Sequence, residues 1–277
     1  MTPTTDQQGY EVVAVEYASM TQDKSSYYHQ FEQYGERDVL APISFYFWVI
    51  RRGDLVVLVD CGMRLATAHA RGFPVSGIDP EEALRHFGVE PADVDHVVIS
   101  HMHFDHVGCL DLFPHAQFTI ADAEYDFWTG PYADRAFFAC ASQPDEVVAI
   151  QRLAQAGRLR WIEEETEILP GITVTPFRGH TPGQIITQVS TDAGLVVLAS
   201  DAAHFYEEID KDRPFFLFND LEGMYRCYDY LRELAARPDT WVVPGHDPLV
   251  MSRFERIADG CVDLTRRLPD ADTVPVA

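Results

Sequence analysis

Residues 101–108 read HMHFDHVG, three histidines and an aspartate within six positions, directly after the apolar run DHVVIS at 95–100. Metal ligation needs deprotonated nitrogen and oxygen donors that converge within roughly 2.0–2.2 Å of an ion. His101 and His103 are two residues apart, so in extended backbone they point to the same side. Asp105 and His106 follow where the chain turns into its next element. One short loop therefore addresses two ions, His101 and His103 toward one, Asp105 and His106 toward the other. Four donors leave both ions under-coordinated, so the rest must come from elsewhere in the chain.

Further donors stand where apolar strands stop. His180 lies in FRGHTPGQ after ITVTPF, Asp201 ends LVVLASD, and His246 follows WVVP. Taken singly each has a plain reading, a hydrogen-bonded histidine or a helix N-cap aspartate. Their recurrence at strand ends, together with the cluster at 101–106, points to one shared metal site. Cys61 and Cys109 lie near the motif and are the only thiols placed to be soft ligands. The five scattered cysteines form no CxxC pair and read as free thiols of a reducing compartment.

The elements that must position these donors are legible in outline. Strands are expected at 11–17, 43–52, 55–62, 95–100, 172–177, 185–190 and 195–201, with 241–247 as the last strand running into a turn. RRGD at 51–54 reads as a hairpin turn. Helices are expected at 80–88, 144–157 and 220–236, the first with proline near its start and glycine at its end. QFTIADAEY at 117–125 reads as a strand and a turn. Residues 126–144 and the aromatic-rich 202–219 read as loops over a site. Regular βαβα alternation is missing, so a doubly wound sheet is excluded and two sheets with helices outside fit better.

HMHFDHVG, GHTPGQ, LASD and PGHD, in this order between about residues 43 and 250, resemble the metallo-β-lactamase superfamily. The resemblance implies an α+β fold, a four-layer αββα sandwich, filling 1–277 as a single hydrolase domain. It implies two Zn²⁺ per chain, or other divalent first-row metals. His101, His103 and His180 would hold one ion, Asp105, His106 and His246 the other, and Asp201 would bridge them. LVDCG at 58–62 matches the family's Asp-x-Gly strand end, which makes Asp60 a residue that orients a ligand histidine.

Departures inside the motifs narrow the branch. True β-lactamases of this fold are exported and usually replace the bridging aspartate by Cys or Ser. Flavodiiron reductases carry Glu at the position of His103. The nucleases add domains and basic surfaces, whereas this chain has a net charge of −23, which repels phosphate backbones and anionic membranes alike. Glyoxalase-type thioesterases add a C-terminal helical domain, for which the stretch after His246 is too short. The N-acyl-homoserine-lactone lactonases, quorum-quenching enzymes, share the HxHFDH form with Phe104 at the aromatic position. They commonly carry Tyr three residues after the bridging aspartate. Here that residue is His204, with Tyr206 two further on. His204 is thus a candidate to polarise a substrate carbonyl, the alternative being a polar loop residue.

The function implied is a dinuclear-zinc hydrolase that opens a lactone ring by attack of a metal-bridging hydroxide, with Asp105 as proton shuttle and His204 as catalytic donor. The alternative is metal-dependent hydrolysis of another small-molecule amide, thioester or phosphotriester. The aromatic runs at 124–132 and 204–218 are candidates for an apolar acyl pocket, a minicore or a homodimer contact. MTPTTDQQGYEVVAVEY has neither the basic nor the apolar region of a signal peptide, so a cytoplasmic enzyme acting on a small molecule is expected.

Overall fold

The computed structural model describes residues 9–269. The first eight residues, on which the absence of a signal peptide was partly read, lie outside them, as do the last eight of the expected 1–277 domain. The first sheet contains β1 (Glu11–Asp23), β2 (Leu40–Arg52), β3 (Leu55–Val59), β4 (Ser76–Gly77), β5 (His96–Val98), β6 (Gln117–Ala121) and β7 (Leu159–Ile162). The second contains β8 (Thr166–Leu169), β9 (Ile172–Phe177), β10 (Gln184–Thr191), β11 (Gly194–Ser200) and β12 (Thr240–Pro244). Two strands beyond the one expected to be last, β13 (Phe254–Ala258) and β14 (Cys261–Arg267), return to the first sheet. Its order is β13-β14-β1-β2-β3-β5-β6-β7, with β4 against β1, and the second sheet runs β12-β11-β10-β9-β8.

Period-2 alternation explains the layering. On β1, Val12 and Ala14 face the second sheet and pack with Trp48 and Ile50 against Ile172, Ile185 and Val196. Val13 and Val15 face the opposite way, with Phe47 and Val49, onto the outer helices. Those helices are α1 (Leu65–Ala70), α2 (Pro80–His86), α3 (Phe104–Val107), α4 (Asp122–Trp128), α5 (Ala136–Ala139) and α6 (Pro144–Gln155). Both faces of β2 are covered, which is why its stretch FYFWV at 45–49 is apolar at every position and buried throughout. On the far side α7 (Tyr206–Lys211) and α8 (Leu221–Ala235) cover the second sheet, and α9 (Val250–Arg253) leads into β13. Met224, Cys227, Tyr228, Leu231 and Leu234 of α8 pack on Ile186, Val197 and Val242. The order helix, sheet, sheet, helix is the expected αββα sandwich.

The expected loop at 202–219 contains α7, and the turn after β6 is the first turn of α4. In α7 the helix signal was hidden by aromatic neighbours: Glu208 supplies the start by accepting the backbone N–H groups of His204 and Phe205, at 2.8 and 3.1 Å. Among the described residues no helix is long and apolar enough to cross a membrane.

Candidate metal centre

Each donor sits just past a strand, at one edge where the two sheets meet. His101 and His103 follow β5, α3 carries Asp105 and His106, His180 follows β9, Asp201 follows β11 and His246 follows β12. His101 and His103 share a side, with ring centroids 4.5 Å apart, while Met102 between them turns into the core.

Asp201 is the centre. Its Oδ2 lies 3.6 Å from His101 Nε2 and 3.4 Å from His180 Nε2. Its Oδ1 lies 3.3 Å from His106 Nε2 and 3.0 Å from His246 Nε2. Asp105 Oδ2 stands 3.6 Å from both His106 and His246. His103 Nδ1 approaches His180 Nε2 at 2.9 Å. The donors thus sort into two groups, His101, His103, His180 and Asp201, and Asp105, His106 and His246, each with its ligand atoms within 4.8 Å of one another.

The outer ring nitrogens fix the tautomers. His180 Nδ1 donates to the Leu217 carbonyl at 3.0 Å and His246 Nδ1 to the Ser44 carbonyl at 2.8 Å. His106 Nδ1 donates to Asp60 at 2.8 Å, and His101 Nδ1 lies 2.9 Å from Ser100 Oγ. With Nδ1 carrying the proton, each of these rings presents the lone pair of Nε2 to the centre. His101 Nε2, His106 Nε2 and Asp201 Oδ1 are buried and have no hydrogen-bond partner. Buried polar atoms ordinarily have one. Converging, unpartnered nitrogen and oxygen donors of this kind fit a pair of divalent cations.

Charge is distributed unevenly. Burial, reinforced by neighbouring histidines, pushes the pKa of His101 and His180 well below the ordinary value, and burial lowers that of His103 to about 3. Burial acts the same way on His106, but the carboxylates of Asp201, Asp105 and Asp60 outweigh it and raise its pKa well above the ordinary value. The Asp201 carboxyl, against the cost of burial, is held well below its usual range by His246, His204, His106 and His101.

Beneath the donors lies a hydrogen-bonded knot. Asp60 accepts from Ser100 N and Ser100 Oγ, from His106 Nδ1 and from Ser200 Oγ, at 2.7–3.1 Å. Asp60 and Ser200 both have positive φ, 61° and 47°, conformations that a non-glycine residue adopts at a cost. They end β3 and β11, one in each sheet, so the strain and the bonds meet where the sheets deliver His106 and Asp201. The expected role of Asp60 is the contact seen here. Cys61 is buried and donates to the His106 carbonyl at 3.3 Å, and neither it nor Cys109 joins the donor groups.

His204 is fully enclosed. Its ring stacks on Phe215 at 3.5 Å, Nε2 lies 3.0 Å from Asp201 Oδ2, and Nδ1 lies 3.1 Å from Glu208 Oε1. Both contacts are off the line of a good hydrogen bond. Burial is outweighed by the two carboxylates, which raise its pKa to about 9. Tyr206 takes another course: it packs in the core between the sheets under the Arg253 guanidinium, 3.7 Å above its ring, and does not line the site. Sequence reasoning missed Glu124 and Glu208, fully buried carboxylates whose partners are mainly backbone groups. A glutamate inside a helix carries no local mark of such a role.

A cavity of about 430 Å³ opens above the donors. His103, Asp105, His180, Asp201, His204 and His246 form its floor, and Met20, Ile43, Phe45, Phe73, Phe104 and Phe215 line its walls. No lysine or arginine lines it among the described residues. The run at 204–218 therefore contributes a pocket wall through Phe215, Phe216 and Leu217, and Phe45 joins it, edge-on to His246 with ring centroids 5.3 Å apart.

Comparison with known proteins agrees with this geometry. The family model described as the metallo-beta-lactamase superfamily matches residues 46–246. An N-acyl homoserine lactonase of Bacillus cereus is 27% identical over 205 residues, 69% of this chain and 76% of that protein. The N-acyl homoserine lactonase AttM of Azorhizobium caulinodans is 31% identical over 179 residues, 61% of this chain and 64% of that protein. Among solved structures, a quorum-quenching N-acyl homoserine lactone lactonase superposes with a TM-score of 0.71 at 20% identity, over 88% of this chain and 95% of that one. AidC, a dizinc quorum-quenching lactonase in complex with a product, gives 0.68 at 18% identity, over 88% and 92%. The chain belongs to the metallo-beta-lactamase superfamily. Within it the chain falls in the lactonase-like branch and is a metal-dependent hydrolase with a divalent-metal site.

Proposed function

We propose that this protein opens the ring of N-acyl-homoserine lactones or closely related lactones, using two zinc ions or another divalent first-row pair. His101, His103 and His180 would hold one ion, Asp105, His106 and His246 the other, and Asp201 would reach both with its two oxygens. A pair of such ions supplies a water activated near neutral pH and a polarised carbonyl. The observation that carries the reading is the division of donors about Asp201 at the floor of an apolar cavity.

The chain's own residues supply the rest. Phe45, Phe104 and Phe215 form a wall suited to an acyl chain and keep bulk water from the floor. Among the described residues no lysine or arginine lines the cavity, which favours a neutral substrate over an anionic thioester. Asp105, less buried than the other donors, borders the cavity and is placed to pass a proton to the alkoxide that leaves when the ring opens. His204 lines the floor, and its Nε2, near Asp201 Oδ2 but in no hydrogen bond with it, would donate to the developing oxyanion. The same reading treats the chain as one catalytic domain acting in the cytoplasm on a small molecule.

The test is a panel of homoserine lactones of graded acyl length, simple lactones, amides, thioesters and a phosphotriester, run on protein whose metal content has been measured. The expected result is the highest kcat/KM on acylated lactones. A fully loaded protein that leaves every lactone intact, or turns over the phosphotriester faster, overturns the assignment in favour of another bond.

A further inference from the structure

We infer that Glu124 is a positioning residue for the donor group on the Oδ2 side of Asp201. Its carboxylate ties the loop of His101 and His103, on the first sheet, to the loop of His180, on the second. The inference rests on the two-ion reading above.

Glu124 lies in the first turn of α4 and is fully buried. Oε1 accepts the backbone N–H of Met102 at 2.8 Å and the Trp128 indole N–H at 2.7 Å. Oε2 accepts the backbone N–H of Gly183 at 2.9 Å. Met102 is the residue between His101 and His103, and Gly183 is three residues past His180. One carboxylate therefore spans two segments that are about eighty residues apart in sequence and belong to different sheets. At the same junction His103 Nδ1 meets His180 Nε2 at 2.9 Å.

Two details show that the junction is built for close approach. A Cβ on Gly183 would stand 2.6 Å from the Glu124 backbone nitrogen, so the loop of His180 reaches the carboxylate only with glycine there. Trp128, held by Glu124, sets its ring edge-on to His103 with centroids 5.5 Å apart. The second donor group does not share these bonds: His106 rests on Asp60 and His246 on the Ser44 carbonyl. The chemistry of the carboxylate matters because it has two accepting oxygens and no proton to donate. An amide in its place must turn its NH₂ toward one of the N–H donors, and one loop is then released.

The experiment is a zinc titration of metal-free protein in competition with a chromophoric chelator, on the wild type, Glu124→Gln and Gly183→Ala, with thermal unfolding of each metal-free form. The wild type should take up two equivalents. Glu124→Gln should unfold cooperatively, keep one equivalent at wild-type affinity and bind the other about 10–100-fold more weakly, the usual cost of losing a partner that orients a ligand. Gly183→Ala, which forces the same junction apart from the other sheet, should show the same one-sided loss. Equal weakening of both equivalents, or no change in either, overturns the inference. So does failure of both variants to fold, since Glu124 would then serve the fold as a whole. A wild type that binds fewer than two equivalents instead removes the two-ion reading, whatever the variants do.

Discussion

The two donor groups around Asp201 are held by opposite means. On the Oδ2 side the histidines are neutral and their outer partners are neutral too: Ser100 Oγ for His101 and the Leu217 carbonyl for His180. On the Oδ1 side His106 is gripped by a buried carboxylate, Asp60, and faces two more, Asp105 and Asp201. Both arrangements leave Nε2 pointing inward. They differ in electrostatics: burial lowers the pKa of His101, His103 and His180, whereas the surrounding carboxylates raise that of His106. A metal entering the second group therefore competes with protons more than one entering the first.

The largest effect should come from removing what the groups share. Asp201→Ala deletes both oxygens at once. It should lose at least one equivalent of metal and lower activity by about 10²-fold or more, as metal analysis and steady-state kinetics on the same preparation will report. Unchanged metal and turnover would mean that the groups do not meet at Asp201.

His204 stands against the Oδ2 side without belonging to its donor group. His204→Ala should keep both equivalents and lower kcat by about 10²-fold or less, the low end for a lost oxyanion donor beside a metal. His204→Tyr should retain activity on homoserine lactones. Loss of an equivalent in His204→Ala would move this histidine into the first group.

Asp60→Asn probes mainly the other side, since Asp60 touches His106 directly and His101 only through Ser100 Oγ. Its amide can accept from His106 through one oxygen but cannot satisfy the whole knot. Affinity for one equivalent should fall by about 10–100-fold and the other, reached only through Ser100, clearly less. The mirror image of the Glu124→Gln result is the pattern to look for, and an equal loss at both sites would erase the distinction between the groups.

The smallest effect is in pH. The carboxylates around His106 raise its pKa well above the ordinary value, so acidification favours the proton over the metal in its group. Affinity for one equivalent should therefore fall as the pH is lowered from about 8 to about 6. His103, with its pKa lowered to about 3, stays neutral in that window, so the affinity of its group should stay flat. Calorimetry in buffers of different ionisation enthalpy counts the protons released at each step, and equal release at both would contradict the asymmetry.

Much of this was written in local sequence. The donors declare themselves because HMHFDHVG compresses them into one loop and because each remaining one ends an apolar run. The sandwich was legible for a similar reason, since β2 and β11 are apolar on both faces. What stayed hidden depends on distant partners. Glu124 matters because of Met102 and Gly183, and nothing in ADAEYDFW announces either. Tyr206, two residues past the position where the lactonases carry tyrosine, is turned by the start of α7 into the core between the sheets. The last two strands were missed because β13 is exposed at most positions and CVDLTRR mixes charges into its alternation.

Those two strands set the size of the smallest stable piece. Residues 46–246 contain every proposed donor, yet they include neither β1 nor β14, which pair through Val13 with Asp263, Ala14 with Val262 and Val15 with Cys261. A chain cut just after His246 would keep the whole reaction centre and leave the long β1 with an open ladder of unpaired amides. It would also remove Phe254, Val262 and Leu264 from between the sheets. Such an edge is a template for intermolecular pairing. Anyone trimming this enzyme to its chemistry should expect insoluble protein, because the segment that protects it from aggregation is one that never touches substrate.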